Sequence, residues 1–156
     1  MRVRANNASG GGGNGTACVP QMTSATAPSG EVISSTVSGD TESRYAFDND
    51  ETNYCQLTNS VGAYIGYNFG IPLKLKKLYL AAAYNNNIAY KLQGSNDGST
   101  WEDITTFTGV AQASKTLYTV YVNSNTAYKQ FRLYHSTTGA GYSTSVYYDV
   151  QFCCEE

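Results

Sequence analysis

The chain has 156 residues, of which 41% are hydrophobic and only 14% are charged, and its formal net charge is −2. A chain of this length can form one domain with a sizeable core. Its scattered Lys and Arg residues exclude the basic patch that nucleic-acid binding requires. The longest apolar run, residues 78–84, is too short to span a bilayer, so no membrane insertion is expected.

The N-terminal segment differs in composition from the rest of the chain. Residues 1–17 consist mostly of Gly, Asn, Ala and Ser, with a run of glycines at 10–13. Such a segment buries too little apolar surface to offset its ordering entropy. We therefore expect a flexible arm over residues 1–17 that anchors the protein by ordering against a partner, and a folded domain over residues 18–156. No apolar stretch follows the initial arginines, so no signal peptide is predicted.

From residue 18 onward, short apolar segments alternate with turn residues. The predicted strands cover residues 31–37, 63–69, 73–80, 88–93, 104–107, 117–122, 131–134 and 146–152. Clusters of Gly, Asn, Asp or Ser bound them, and no window has a sustained helical period. Many short strands at this spacing predict an all-β fold, namely an antiparallel β-sandwich or jelly roll.

The most specific local signal is the segment 93–101, which reads Gln-Gly-Ser-Asn-Asp-Gly-Ser-Thr-Trp. The side chain of Asp97 can bond its own backbone, and Gly98 accepts a positive φ. Trp101 is then expected to re-enter the core. These residues by themselves predict a hairpin and nothing more.

The same segment resembles the G-S-x-D-G-x-x-W hairpin of discoidin, or coagulation-factor type C, domains and of the related galactose-binding-like carbohydrate-binding modules. Three more segments agree with that family in its order. Residues 45–52 are similar to its A-F-D-G-x-x-x-T loop, residues 130–133 to its y-R-l strand and residues 148–152 to its closing x-E-l-x-F strand. Residues 22–30 resemble the entry segment of versions found in phage tail and virion proteins. The resemblance implies a galactose-binding-like sandwich.

Two departures from the family lie near its A-F-D-G loop. Asn49 stands where the family usually has Gly, and Asn still tolerates a left-handed backbone. Tyr54 and Cys55 stand near the place where the family usually has Trp, which puts the usual core contact and the shape of the loop in question.

The resemblance also implies a structural calcium ion. In the family this loop often holds Ca²⁺, closed by the acid of the last strand, and the matching residues here are Asp48, Asp50, Thr52 and Asp149. Calcium takes about six to eight oxygen ligands, which such a loop can supply. Asp149 replaces the more usual Glu and has a shorter reach. The alternative is that Asp48 only caps the loop backbone through hydrogen bonds.

A sugar site needs an aromatic platform and a few polar groups for hydroxyls. The resemblance places such groups on loops at one end of the sandwich, where the candidate ligand residues are Arg44, Tyr84, Asn85, Asn87, His135 and Tyr142. Tyr142 is the predicted platform, and Arg44 and Asn87 are the predicted hydroxyl binders. The alternative for each is an ordinary solvated loop residue.

The cysteines and the single histidine exclude two kinds of chemistry. Cys18, Cys55, Cys153 and Cys154 contain no C-x-x-C pair, so a zinc site is not expected. Cys153 and Cys154 can bridge to Cys18, bridge to another chain or stay reduced, and the sequence leaves these alternatives open. His135 has no nucleophile set beside it from which a catalytic triad could be built, so we predict that the protein is not an enzyme.

These observations predict a non-catalytic carbohydrate- or receptor-binding module displayed on a phage virion, as a capsid decoration or a tail-associated adhesin. Its expected partners are a cell-surface glycan or other receptor and, through the arm, other virion proteins. A homo-oligomer is compatible with this, because weak single-sugar sites require many copies. The expected location is the virion or the extracellular space. The alternative is a purely structural virion decoration that uses the sandwich as an interface and the arm as an anchor.

Overall fold

A computed structural model describes residues 16–39, 41–85, 87–109, 115, 117–122, 124–139 and 141–155. Residues 1–15, which make up most of the predicted arm, lie outside the described residues. The last two residues assigned to the arm belong to a strand, because the first strand begins at Thr16.

Nine β-strands and one short 3₁₀ helix make up the regular structure of the described chain. The strands are β1 (Thr16–Cys18), β2 (Glu31–Ser34), β3 (Cys55–Thr58), β4 (Tyr64–Ala83), β5 (Ala89–Ser95), β6 (Glu102–Thr108), β7 (Tyr118–Tyr121), β8 (Tyr128–His135) and β9 (Thr144–Glu155). The 3₁₀ helix covers Ser43–Ala46. Every strand pair is antiparallel, which confirms the predicted fold class.

The long strand β4 belongs to both layers of the sandwich. Its first half pairs with β2 and β8, and the layer continues through β5 to β6. Its second half pairs with β7 and β9, and the other edge of β9 pairs with β3 and β1. The register against β8 shifts between Asn68 and Leu73, where the strand passes from one layer to the other.

This strand corrects the prediction of two separate strands at 63–69 and 73–80. Gly70 and Pro72 look like a break in the sequence, but they lie at the change of layers, where a bulge tolerates them. Strands β1 and β3 were not predicted from the sequence. Both are short, and both pair with the edge that the distant strand β9 offers.

The core lies between the two layers and is rich in aromatic side chains. Phe131 of β8 and Phe152 of β9 stack with their ring centroids 6.2 Å apart, and Phe47 lies 6.5 Å from Phe152. Burying a side chain of this size stabilises the fold by roughly 1.5–3 kcal/mol. The layer of β4 and β8 also depends on Gly66, because a Cβ there would lie 2.3 Å from the Phe131 carbonyl oxygen.

The predicted hairpin at 93–101 is present between β5 and β6. Gly98 has a φ of 76°. The backbone N–H groups of Thr100 and Ser99 donate to Asp97 and hold the pKa of its carboxyl at about 2. The expectation that Trp101 enters the core was wrong. Its ring lies on the outer face of the sheet, 4.0 Å from the Arg132 guanidinium, in a cation–π contact.

A disulfide joins Cys18 of β1 to Cys153 of β9, which is one of the alternatives that the sequence left open. Cys55 and Cys154 are buried free thiols, and burial raises the pKa of each to about 12. Within the described ranges, no helix has the length and apolar character to cross a membrane.

Candidate functional site

Two loops meet at one end of the sandwich. One follows β4 and includes residues 84, 85, 87 and 88, and the other joins β8 to β9 and includes residues 136–139 and 141–143. The N–H of Ala89 donates to the Thr137 hydroxyl at 2.8 Å. That hydroxyl donates in turn to the carbonyl oxygen of Asn87 at 3.3 Å. The strand pairing and these bonds hold the two loops side by side.

Tyr84 and Tyr142 form an exposed aromatic pair on these two loops. Their side chains are 37% and 40% exposed, and their ring centroids lie 5.0 Å apart with the planes tilted by 53°. Tyr84 has a φ of 56° and the exposed Asn87 a φ of 62°, in the left-handed region that residues other than glycine seldom adopt. Asparagine adopts this region more readily than most residues do, so Tyr84 is the unusual one, and such outliers cluster at functional sites. The structure therefore places three of the predicted ligand residues on two adjoining loops, with the rings of Tyr84 and Tyr142 in contact.

A residue that sequence reasoning missed fixes the position of Tyr142. The side-chain amide of Asn59, just after β3, donates to the Tyr142 carbonyl at 2.8 Å and to the Gly139 carbonyl at 3.3 Å. Its oxygen accepts from the Gly139 N–H at 3.0 Å. An asparagine after a strand is too common a signal to have pointed to this role.

Tyr54 and Tyr148 form a second aromatic pair. Tyr148 of β9 is half-buried, and the ring of Tyr54, which is 39% exposed, meets it edge-on at 5.9 Å. Burial raises the pKa of the Tyr148 phenol, and the neighbouring phenols of Tyr84 and Tyr54 raise it further. In the sequence, only the high count of 14 tyrosines indicated that such pairs could form.

Two of the predicted ligand residues lie beneath the loops. Asn85 is 2% exposed and hydrogen-bonds the Tyr90 hydroxyl. His135 is fully buried, with its Nε2 2.5 Å from the Tyr147 hydroxyl, and that hydroxyl lies 2.9 Å from the hydroxyl of Tyr90. This corrects the expectation that both side chains face a ligand. They form a polar floor under the site, because the aromatic side chains of the core enclose them.

Arg44, the remaining predicted ligand residue, lies in the 3₁₀ helix. Its Nε is 2.5 Å from Glu42 Oε2, and its guanidinium lies 4.5 Å from the centre of the Tyr45 ring. The Glu42 carboxylate raises the pKa of Arg44 through a hydrogen bond. In the part of the chain that the structure describes, no contact joins Arg44 to Tyr84 or Tyr142. The structure therefore does not support a role for Arg44 in a site with these tyrosines.

In the predicted calcium loop, groups of the loop itself donate hydrogen bonds to the carboxylates. Asp48, which is 5% exposed, accepts hydrogen bonds from the Asp50 N–H at 2.9 Å and the Asn53 side-chain amide at 2.9 Å. Asp50 accepts from the Thr52 hydroxyl at 2.6 Å and from the Thr52 N–H at 2.9 Å, and these bonds lower its pKa. Asn49 has a φ of 63°, as the left-handed turn requires.

These contacts match the alternative reading, in which Asp48 caps the loop backbone. The oxygen donors suit calcium in kind. Among the residues that the structure describes, however, no three acidic, His or Cys side chains are grouped closely enough to hold a metal ion. Asp149 is 5% exposed on β9. The donors present thus do not form a ready metal site with Asp149, and calcium stays a prediction from the sequence.

The fold and the loops at its end define a galactose-binding-like β-sandwich. The chain belongs to the F5/8 type C domain family, whose model matches residues 31–147. This confirms the resemblance that the sequence motifs indicated.

Solved structures of carbohydrate-binding modules are similar to this chain. The family 32 module of NanJ from Clostridium perfringens, in complex with galactose, has a TM-score of 0.68 at 12% identity and covers 88% of this chain and 98% of its own. CpGH89CBM32-5 from the same organism, in complex with GalNAc-β-1,3-galactose, has a TM-score of 0.67 at 18% identity, with 86% and 98% covered. No match was found among curated protein sequences.

A third similar structure is the chitosan-binding module 1 derived from a chitosanase/glucanase of Paenibacillus sp. IK-5. It has a TM-score of 0.64 at 20% identity and covers 78% of this chain and 92% of its own. Sequence identities this low establish the shared fold and leave the ligand of this chain to be argued from its own site.

Proposed function

We propose that this chain is a non-catalytic carbohydrate-binding module whose site is the Tyr84–Tyr142 pair. The observation that carries the proposal is the pair itself, two exposed rings 5.0 Å apart on loops that hydrogen bonds hold in place. Tyrosine rings offer apolar faces to the C–H face of a sugar and hydroxyls to its oxygens. The neighbouring Asn87 is exposed and supplies an amide for a sugar hydroxyl.

Two further observations support the proposal. The similar modules named above are described with galactose, with GalNAc-β-1,3-galactose or as chitosan-binding, so this fold carries sugar sites in other proteins. Burial lowers the pKa of His135 to about 4, and the ring is out of reach of a surface ligand. The only histidine of the chain is therefore unsuited to acid–base chemistry at this site.

A glycan array followed by calorimetry of the best ligand tests the proposal. We expect Tyr84→Ala and Tyr142→Ala each to weaken binding about tenfold or more, the loss typical of a central aromatic contact. Asn59→Ala is expected to weaken binding through the displaced Tyr142 loop. Tyr121→Ala is the matched control, since Tyr121 is 82% exposed on β7, and it should bind as the wild type does.

Two results would contradict the proposal. One is a blank array from a folded protein displayed in many copies, and the other is unchanged binding by Tyr142→Ala. Circular dichroism of each variant shows whether a loss of binding reflects a loss of fold.

The more specific part of the proposal is that the domain is displayed on a phage virion. It rests on the resemblance of residues 22–30 to virion versions of the domain and on the Gly-rich segment that precedes β1. A weak single-sugar site gains strength when many copies are displayed together. Electron microscopy of virions labelled with an antibody against the domain tests this. Label on the particle surface supports display, and unlabelled particles contradict it.

A further inference from the structure

We propose that Gly109 is a positioning residue of the carbohydrate site, which holds the loop of Tyr84 and Asn87 in its binding conformation before a glycan arrives. This inference rests on the proposed function and adds the means by which the site is held ready. Gly109 directly follows β6 and is buried. It therefore acts through the loop and not by contact with a sugar.

Two backbone hydrogen bonds join Gly109 to this loop. The Asn87 N–H donates to the Gly109 carbonyl oxygen at 3.2 Å, and the Gly109 N–H donates to the Ile88 carbonyl oxygen at 2.9 Å. Within the loop, the Ile88 N–H donates to the Asn85 carbonyl oxygen at 3.1 Å. Together these bonds fix the backbone at Asn87 and close the turn that follows Tyr84.

The approach of Gly109 to the loop leaves no room for a side chain. A Cβ at this residue would lie 2.1 Å from the Asn85 carbonyl oxygen and 3.0 Å from both Asn85 Cγ and Tyr90 Cε2. The nearest of these atoms belongs to the loop backbone one residue after Tyr84, so a side chain at residue 109 has to displace the loop itself. Gly109 has no left-handed φ, and it is the close approach that requires glycine here.

The loop needs this support because the backbone of Tyr84 is in an unfavourable conformation. Its φ of 56° lies in the left-handed region, which is unusual for a residue other than glycine or asparagine. Such a conformation persists only where the surrounding structure holds it. The bonds from Gly109 and the bond from the Thr137 hydroxyl to the Asn87 carbonyl oxygen hold the loop from two sides. A loop held in advance avoids the entropic cost of ordering its side chains on binding.

Gly109→Ala tests the inference against a matched control, Gly94→Ala. A Cβ at residue 94 would lie 2.3 Å from Tyr128 Cδ2, so the control creates a similarly close clash near the opposite end of β5. Both variants should have a lower melting temperature than the wild type. At a temperature where all three proteins are folded, Gly109→Ala should bind the tightest-binding glycan of the array about tenfold more weakly, the cost of ordering two side chains on binding. Gly94→Ala should bind that glycan as the wild type does.

Amide hydrogen exchange of the glycan-free protein provides a second measurement that a general loss of stability does not reproduce. The N–H groups of Asn87 and Ile88 should exchange faster in Gly109→Ala than in the wild type, because local opening of the loop becomes easier. In Gly94→Ala they should exchange at the wild-type rate.

Asn85→Ala carries the test if Gly109→Ala does not fold. It removes the side-chain amide that packs against Gly109 beneath the loop, and it should weaken glycan binding in the same direction. Its control is Gln93→Ala, which removes another buried amide, one that bonds Arg132 and Asp103 on the outer face of the sheet. That control should keep the wild-type affinity.

The outcomes separate this inference from the proposed function. An unchanged affinity in Gly109→Ala overturns the positioning role and leaves the carbohydrate-binding module in place, even if the loop amides exchange faster. A loss of affinity that is equally large in Gly94→Ala overturns it as well, because the effect is then a general one. A wild-type protein that binds no glycan is a different result, since it overturns the proposed function and this inference with it, whatever the variants do.

Discussion

The buried residues beneath the loops form a connected polar chain of His135, Tyr147 and Tyr90. Burial raises the pKa of Tyr90 to about 12 and that of Tyr147 well above its ordinary value. The same burial lowers the pKa of His135 to about 4. These groups are therefore uncharged near neutral pH. Their buried surroundings disfavour the charged form of the imidazole.

We expect acid to destabilise the fold through His135. The folded protein binds the imidazole proton only near pH 4, whereas an unfolded histidine binds it near pH 6.5. The unfolded state thus binds more protons in this window. The free energy of unfolding should fall by about 3 kcal/mol as the pH drops from about 6.5 to about 4. Urea unfolding at a series of pH values measures this slope.

His135→Gln is the variant that isolates the effect, because an amide does not titrate. We expect it to be less stable than the wild type at pH 7 and to show a flatter slope between pH 6.5 and 4.5. The same slope in both proteins would assign the acid sensitivity to other groups. Asp97 and Asp103 also have lowered pKa values, but those carboxyls take up protons at lower pH.

For the loop between the 3₁₀ helix and β3, the sequence and the structure point to different means of holding the loop in place. The sequence resemblance predicts calcium there, and the described contacts show carboxylates bonded to the loop's own N–H groups. The two descriptions make separate predictions about stability.

Asp48→Ala should destabilise the fold by about 1–3 kcal/mol, with calcium or with chelator present. The reason is that it leaves the Asp50 N–H and the Asn53 amide without their acceptor. Glu31→Gln, which alters an exposed acid on β2, is the control and should change stability by less than about 0.5 kcal/mol. A loss as small as that of the control would contradict the capping role of Asp48.

The melting temperature, measured with and without calcium, tests the calcium prediction separately. An ion at about a hundred times its dissociation constant stabilises a protein by about 2.7 kcal/mol, which raises the melting temperature of a domain of this size by roughly 5–10 °C. Calcium should produce that rise in the wild type and not in Asp149→Asn. An unchanged wild-type melting temperature contradicts the prediction and leaves hydrogen bonds as the means by which the loop is held.

On the scale of the whole molecule, the disulfide ties the two ends of the domain together. Cys18 and Cys153 are 135 residues apart in the chain, and their bond fixes β1 against β9. A cross-link over a long segment stabilises the fold mainly by restricting the unfolded chain. Disulfides form and persist in oxidising environments, which agrees with the extracellular or virion setting proposed for the protein.

Replacing both Cys18 and Cys153 by Ser should lower the free energy of unfolding by about 2–5 kcal/mol in urea. Thiol titration provides the check. The native protein should show no reactive thiol, because Cys55 and Cys154 are buried. The denatured protein should show these two without reductant and all four with it. Four reactive thiols without reductant would contradict the disulfide.

The sequence alone determined the features that depend on neighbouring residues. Asp97 and Gly98 form their turn, and Asn49 adopts the left-handed backbone that its loop requires, because turn chemistry acts over a few residues. Alternation of apolar residues, together with the ordered motifs, sufficed for the β-sandwich and its family. The strand boundaries near Gly70 and Pro72 were predicted wrongly, since the passage of β4 between layers is a property of the whole fold.

Only the tertiary structure decided which side chains lie together at the candidate site. Asn59 bonds the Tyr142 carbonyl across 83 residues, and Tyr54 meets Tyr148 through the pairing of β3 with β9. The same packing encloses His135, which the sequence places at the end of a strand where exposure is the usual outcome. Local patterns set the direction of a side chain relative to its own strand. Whether that direction leads to solvent or into a neighbour depends on segments far away in the chain.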